Sequence, residues 1–269
     1  MKVVVGPARR VLPEPLFELG RRHFGEWARS LRLQQRLADA VVRDYGTDVA
    51  AGPFAGLHYV GEAADRCVVP KLLGCYEEEL FPTVEAAIAT GYERVIDVGC
   101  ASGWYVAGLA RALPAATVFG FDTDERALER CRRIVALNSV SERVSLGGFC
   151  TPMLLNELIG GRTLVVCDIE GGEVELLRPD RAPNLRHADL LVELHDPPGD
   201  STISDAVLPR FAASHDVELV SSRTRTPSLE RYPHLDALPP DDWSAAVDER
   251  RGGPMRWAVM SARVPAASA

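Results

Sequence analysis

Val95 to Tyr105 reads VIDVGCASGWY. An apolar, β-branched run ends in Asp97. Three small residues, Gly99, Ala101 and Gly103, are then spaced two apart, and an amphipathic run begins at Trp104. A strand that breaks into a helix through such a turn lets the backbone bend tightly against a ligand. The free N–H groups at the start of the helix then face an anion or a carboxylate. Nineteen residues after Gly103 a second apolar run, TVFGFD, ends in Asp122. A carboxylate at that place can accept both hydroxyls of a ribose. Together the turn and the acid point to a nucleoside-type cofactor. The dinucleotide fingerprint GxGxxG is absent, because the third glycine that admits a pyrophosphate is missing.

On both sides of this turn, short β-branched runs alternate with helical patterns. Strands are expected at 94–98, 117–122, 143–146, 163–168, 190–195 and 217–221. Helices are expected at 104–113, 125–138, 152–159 and 203–213. This alternation predicts a doubly wound, mostly parallel α/β sheet with helices on both faces. A seventh strand, 255–263, follows a Pro/Gly-rich loop with no strong helix pattern, so it is expected to insert antiparallel. Residues 1–90 read differently. Leu16 to Tyr45 carries a helical stripe, with Gly20 and Gly25 as points of interruption and Gly46 as its stop. Two shorter helical pieces, 71–75 and 80–90, follow. The chain therefore divides into an N-terminal helical cap or lid, 1–90, and a sheet domain, 91–269.

Composition excludes several classes. The 269 residues carry 30 Lys plus Arg against 38 Asp plus Glu, a net charge of −8. That balance argues against nucleic acid as a partner. No apolar run approaches the roughly 20 residues of a membrane span, and no polybasic run suits an anionic membrane. The N-terminal apolar stretch is too short for a signal peptide, so a cytoplasmic protein is expected. The six cysteines are scattered without a CxxC pair and read as small buried hydrophobes, not a zinc site.

The acid followed by GxAxG resembles the first motif of the class I S-adenosylmethionine-dependent methyltransferases, with Ala101 replacing the usual middle glycine. The resemblance implies a Rossmann-like seven-stranded sheet, its last strand antiparallel, and S-adenosyl-L-methionine as cofactor. It implies that Asp97 and the backbone of Gly99, Cys100, Ala101 and Gly103 hold the methionine end. Asp122, with Thr123 beside it, would hold the ribose, and Phe149 and Cys150 would line the adenine. For Phe149 a plain core aromatic is the competing reading. Tyr76, in the cap, would reach the methionine carboxylate, and Asp168 closes the cofactor set. Glu77 would face the substrate. Glu78 and Glu79 read as a solvated helix start.

Further along, LVVCDIEGGEVELL (Leu164 to Leu177) resembles the DxEGxE signature of the FkbM-type branch, which mostly O-methylates hydroxyls of natural products and sugars. The strand ADLLVELHD that follows is also similar to that branch. Val166 stands where the branch usually has a basic residue.

Parallel neighbouring strands would bring Asp168, Glu170, Glu193, His195 and Asp196 together at their C-terminal ends. Three uses fit. His195 could act as general base, with Asp168 and Glu170 also catalytic. Asp168, Glu193 and His195 could hold a divalent metal such as Mg²⁺. Or the acids are structural, capping helices or pairing with Arg178 or Arg186. For Glu170 and Glu173, favourable placement in the first turn of a helix suffices as an explanation.

The expectation is methyl transfer to a small-molecule acceptor, most readily at a hydroxyl. N- or C-methylation, another reaction consuming the same donor, and an inactive cofactor-binding partner subunit are the alternatives. The oligomeric state is left open, with a homodimer among the options.

Overall fold

A computed structural model describes residues 14–59, 67–251 and 253–263, with side chains of the first helix from residue 29 onward. The strand that carries the glycine turn, β1 (Arg94–Val98), is buried along nearly its whole length. Strands covered on both faces are mostly apolar on both, and apart from the buried Asp97 this one is. Val95 points into one apolar layer, while Ile96 and Val98 point into the other. The same alternation recurs in β4 (Thr163–Cys167), where Leu164 and Val166 face one layer and Val165 and Cys167 the other. Each fully buried Val, Leu or Ile contributes roughly 1.5–3 kcal/mol, which fixes register as well as stability.

Seven strands form one sheet. Beside β1 and β4 these are β2 (Thr117–Phe121), β3 (Val144–Gly147), β5 (Asp189–Leu194), β6 (His215–Ser221) and β7 (Arg256–Ala262). Their order is β3-β2-β1-β4-β5-β7-β6. Pairing is parallel from β3 through β5, and β7 inserts antiparallel between β5 and β6. The doubly wound sheet with an antiparallel last strand is therefore as the alternation predicts.

Helices cover both faces. On one side lie α1 (Glu14–Tyr45), α2 (Val68–Leu73), α3 (Phe81–Thr90), α4 (Trp104–Ala112) and α5 (Glu125–Leu137). On the other lie α6 (Pro152–Leu158), α7 (Glu173–Leu176) and α8 (Thr202–Val207). A last short helix, α9 (Trp243–Val247), packs back on the first group.

Two local expectations fail. Gly20 and Gly25 do not interrupt α1, which runs unbroken for 32 residues. An interior glycine costs about 1 kcal/mol, too little to end a long helix. The helix after β5 stops at Val207 and continues only as a 3₁₀ turn, Leu208–Arg210. Pro209 has no N–H to donate and crowds the preceding turn.

The helical layer also recruits chain from far away. Gln34 donates to the Ala245 carbonyl (3.1 Å), Arg36 pairs with Asp242 (2.9 Å), and Tyr45 stacks on His234 (ring centroids 3.7 Å). The connection between β6 and β7 thus packs on α1, and Leu37, Val41, Tyr59, Leu72, Val106 and Trp257 share one continuous core. No helix among the described residues is long and apolar enough to cross a membrane.

Candidate active site

The turn after β1 shows why its small residues are needed. Gly99 has φ 87°, and a Cβ there would stand 1.6 Å from the carbonyl oxygen of Asp168 on β4's C-terminal side. Gly103, at φ 90°, caps α4, and its missing Cβ leaves room for the Cys131 sulfur at 2.6 Å. Ala101 keeps a left-handed φ of 45° without being glycine. That conformation costs an L-residue roughly 1–2 kcal/mol. It is held by Asp122, whose Oδ2 accepts from Ala101 N at 2.9 Å and whose Oδ1 accepts from Asp124 N at 2.8 Å. The carboxylate therefore ties the end of β2 to the glycine turn.

A cavity of about 830 Å³ opens beside this turn. Of the residues expected to hold a cofactor, Tyr76, Gly99, Ala101, Asp122, Thr123, Phe149, Cys150 and Asp168 border it; Glu170 does too. Phe149 is 74% exposed, so it is not a core aromatic. Cys100 and Gly103 do not border the cavity. Asp97 lies beneath the turn, 2% exposed. Burial, with the charges of Asp122 and Glu77, pushes its carboxyl up to about 8. Lys71, one of only two lysines in the chain, also borders the cavity, with its ammonium 4.6 Å from the Tyr76 ring centre. A single lysine in a short apolar helix carries no sequence signal, and only the fold reveals its place.

Beside Asp168, where the cavity meets the end of β4, the parallel strands β4 and β5 end side by side. There His195 Nε2 lies 3.3 Å from Asp168 Oδ1, 3.6 Å from Glu170 Oε2 and 3.7 Å from Glu193 Oε2. Ligand atoms of Asp168, Glu193 and His195 fall within 4.8 Å of one another. The other ring nitrogen, Nδ1, is 2.6 Å from Oε1 of Glu173, a side chain with no exposed surface. Burial opposes protonation of His195, but the Glu173 bond and the charges of Glu193, Glu173 and Glu170 outweigh it, and the net shift is upward. Burial and the facing carboxylates raise Asp168 well above the usual range. Glu170 is held in a left-handed turn, φ 54°, with its carboxylate open to solvent.

Five sequence expectations change here. Glu173 is not merely a helix-start acid, because it fixes the imidazole. Asp196 points away from the cluster. It accepts from Ile203 N, Ser204 N and Ser204 Oγ and pairs with Arg256 at 2.6 Å, so it caps α8. Neither Arg178 nor Arg186 pairs with the cluster: Arg178 holds Asp180, and Arg186 donates to the Pro179 carbonyl. Glu77 is buried and does not face a substrate; it accepts from the Tyr105 hydroxyl and from Arg251 at 2.9 Å. Glu78 and Glu79 are likewise paired, with Arg231 (2.6 Å) and Arg225 (3.0 Å).

Arg251 joins these parts. It contacts Glu77, Glu193 and Glu249, so the turn before α3, β5 and the loop before β7 meet on one guanidinium. Burial disfavours its charge, but the three carboxylates outweigh that and raise its pKa. Burial pushes Glu77 up to about 7, against the pull of Arg251. Removing one partner from such a buried set typically costs 3–5 kcal/mol, because it strands the remaining charge.

Residues 82–189 match the family model described as ribosomal protein L11 methyltransferase (PrmA). The matched segment runs from α3 to the start of β5 and holds the glycine turn, Asp122, Asp168 and Glu173. The chain is a methyltransferase. It carries the class I S-adenosylmethionine-dependent fold, with that fold's strand order and antiparallel last strand. Glu193 and His195 lie beyond the matched segment. No curated protein matches the chain. Among solved structures it is similar to precorrin-6y C5,15-methyltransferase from Geobacter metallireducens, at 13% identity over 66% of this chain and 87% of that one, TM-score 0.44. Precorrin 8W decarboxylase from Methanobacterium thermoautotrophicum aligns at 16% identity over 66% and 88%, TM-score 0.44. Cofactor-bound Rv0187 from MTB aligns at 16% identity over 68% and 79%, TM-score 0.46.

Proposed function

We propose that this methyltransferase is of the FkbM type and transfers the methyl of S-adenosylmethionine to a hydroxyl of a small molecule. One observation carries the reading: a single cavity is bordered both by the glycine turn with Asp122 and by Asp168, whose carboxylate belongs to the cluster with Glu193 and His195. The residues fit the donor. Asp122 stands at the rim beside the solvent-facing Phe149, as a ribose and an adenine require. Lys71 and Tyr76 border the same space, where a methionine carboxylate would sit, and the buried carboxyl of Asp97 lies beneath the turn.

The bound donor supplies an electrophilic methyl on a sulfonium. The chain's own task is to align the acceptor and ease loss of its proton, and both depend on the cluster. The acceptor oxygen forms the new bond to carbon, the carbon–sulfur bond breaks with its electron pair going to sulfur, and the hydroxyl proton leaves. The acid-bordered cavity, with Asp124, Glu170 and Glu175 as well as Asp122, disfavours a phosphate-rich acceptor.

The test incubates the purified protein with methyl-labelled donor and a pool of metabolites. Label in a compound of low mass, one methyl heavier and cleaved by ether-splitting but not amine chemistry, is the expected result. Label in protein or RNA, on nitrogen or carbon, or donor turnover without an acceptor, would each replace this reading. Donor burial with no transfer to any acceptor would favour an inactive partner subunit.

A further inference from the structure

His195 stands in an arrangement that a lone imidazole base does not explain. Glu173 takes Nδ1, so Nε2 is the atom aimed at the site. Among the described residues, carboxylate oxygens stand around Nε2, from Asp168 at 3.3 Å, Glu170 at 3.6 Å and Glu193 at 3.7 Å. A cation bound between these atoms would meet Nε2 and the carboxylate oxygens together.

We propose that Asp168, Glu193 and His195 bind a divalent first-row transition cation, with Glu173 orienting His195. This rests on the O-methylation reading and names how its acceptor site works.

Three features support it. First, the spacing suits a shared ion. Ligand atoms about 2.1 Å from one metal, at octahedral or tetrahedral angles, lie about 3.0–3.4 Å apart. Asp168 Oδ1 and Nε2 are 3.3 Å apart, and Glu193 Oε2 needs only a few tenths of an ångström to join them. Second, each ligand is anchored on one side and open on the other. Arg251 holds Glu193 through Oε1, leaving Oε2 toward the site. Asp168 Oδ1 is buried without a hydrogen-bond partner, a costly state unless an ion completes it. Third, a buried carboxylate on the far nitrogen of a ligating histidine fixes its tautomer and raises its basicity, and such partners accompany metal-bound histidines almost always. Glu173 has no exposed surface, and its second oxygen is also without a partner.

The donor set selects the ion. One imidazole with two carboxylates suits Mn²⁺, Fe²⁺, Co²⁺ or Zn²⁺ better than Mg²⁺, which prefers all-oxygen surroundings. Asp168 and Glu170 both border the cavity, so an acceptor hydroxyl could reach the ion from that side. A cation there lowers the hydroxyl's pKa. Glu170, 88% exposed, stands next to it to pass the released proton to water.

The experiment titrates Mn²⁺ into the full chain, without donor or acceptor, and follows loss of the free-ion electron paramagnetic resonance signal. One Mn²⁺ per chain is expected, with pulsed spectra showing coupling to one imidazole nitrogen. Glu173→Gln should weaken binding 10–100-fold. Asp168→Asn and His195→Ala should abolish it, while Asp196→Asn leaves it unchanged. Mg²⁺ should compete poorly. No stoichiometric Mn²⁺ on the wild type, or bound Mn²⁺ without nitrogen coupling, overturns the proposal and needs no variant to fold. Because no methyl transfer is measured, this result is independent of whether the acceptor assignment survives.

Discussion

Gly99→Ala should injure this protein in a way that Gly171→Ala does not. Both glycines have positive φ, 87° and 101°, so both alanines carry the left-handed strain of roughly 1–2 kcal/mol. They differ in what the new methyl meets. At Gly171 nothing lies within 4 Å. At Gly99 the methyl would stand 1.6 Å from the Asp168 carbonyl oxygen and 2.6 Å from its carbonyl carbon. Backbone cannot rotate aside as a side chain can, so the ends of β1 and β4 must part. Overpacking of that kind typically adds 1–3 kcal/mol. The expected losses are therefore about 2–5 kcal/mol for Gly99→Ala against about 1–2 kcal/mol for Gly171→Ala. For a chain of this size each kcal/mol lowers the melting temperature by about 2–4 °C. Urea denaturation of both variants gives the comparison, and donor titration gives a second reading. Only Gly99→Ala should also weaken donor binding, since it displaces the turn and Asp168 together. Equal destabilisation of the two variants would refute the argument from close approach.

Other outcomes follow from the same geometry. Asp122→Ala should weaken donor binding at least tenfold, since charge-assisted hydrogen bonds contribute about 1.5–3 kcal/mol each, and unchanged affinity by calorimetry would remove Asp122 from the site. Asp196→Ala should lower stability by about 1–2 kcal/mol through loss of the α8 cap, with the KM for the donor unchanged. Asp97 is raised to about 8 in the fold, so between pH 4 and 8 the folded chain holds a proton that the unfolded chain has lost. Its contribution to stability therefore falls as pH rises through that window, and levels off above it. Asp97→Asn cannot ionise, so its stability relative to wild type should climb from pH 5 to pH 8 in denaturation series; a flat difference would contradict the buried-acid reading.

The parts of this fold that could be read in the sequence are those set by local pattern. The β-branched runs and the turn from Asp97 to Gly103 place β1, α4 and β2 within a residue of where they stand, because strand period and glycine geometry are local properties. Glu193 and His195 were legible as neighbours for the same reason, being two apart on one strand. What escaped was set by distance along the chain. Arg251 meets Glu77 and Glu193 across 174 and 58 residues, and nothing near any of the three announces it. The stretch 222–251 shows no long apolar period, because its regular structure is confined to two 3₁₀ turns and the short helix α9, which meet α1 through His234, Asp242 and Ala245. Glu173 and Asp196 exchanged roles for a subtler reason. Both sit beside helix starts, where an acid is favoured by the dipole and by free N–H groups alike. Only the path of β5 decides which of them meets an imidazole.

The central claim is that the glycine turn and Asp122 form a sulfur-nucleoside site. Calorimetric titration of the full chain with S-adenosylmethionine, its demethylated product and NAD addresses it directly. Saturable one-to-one binding of both sulfur nucleosides and none of NAD is expected. Binding of NAD, with neither sulfur nucleoside bound, would contradict it.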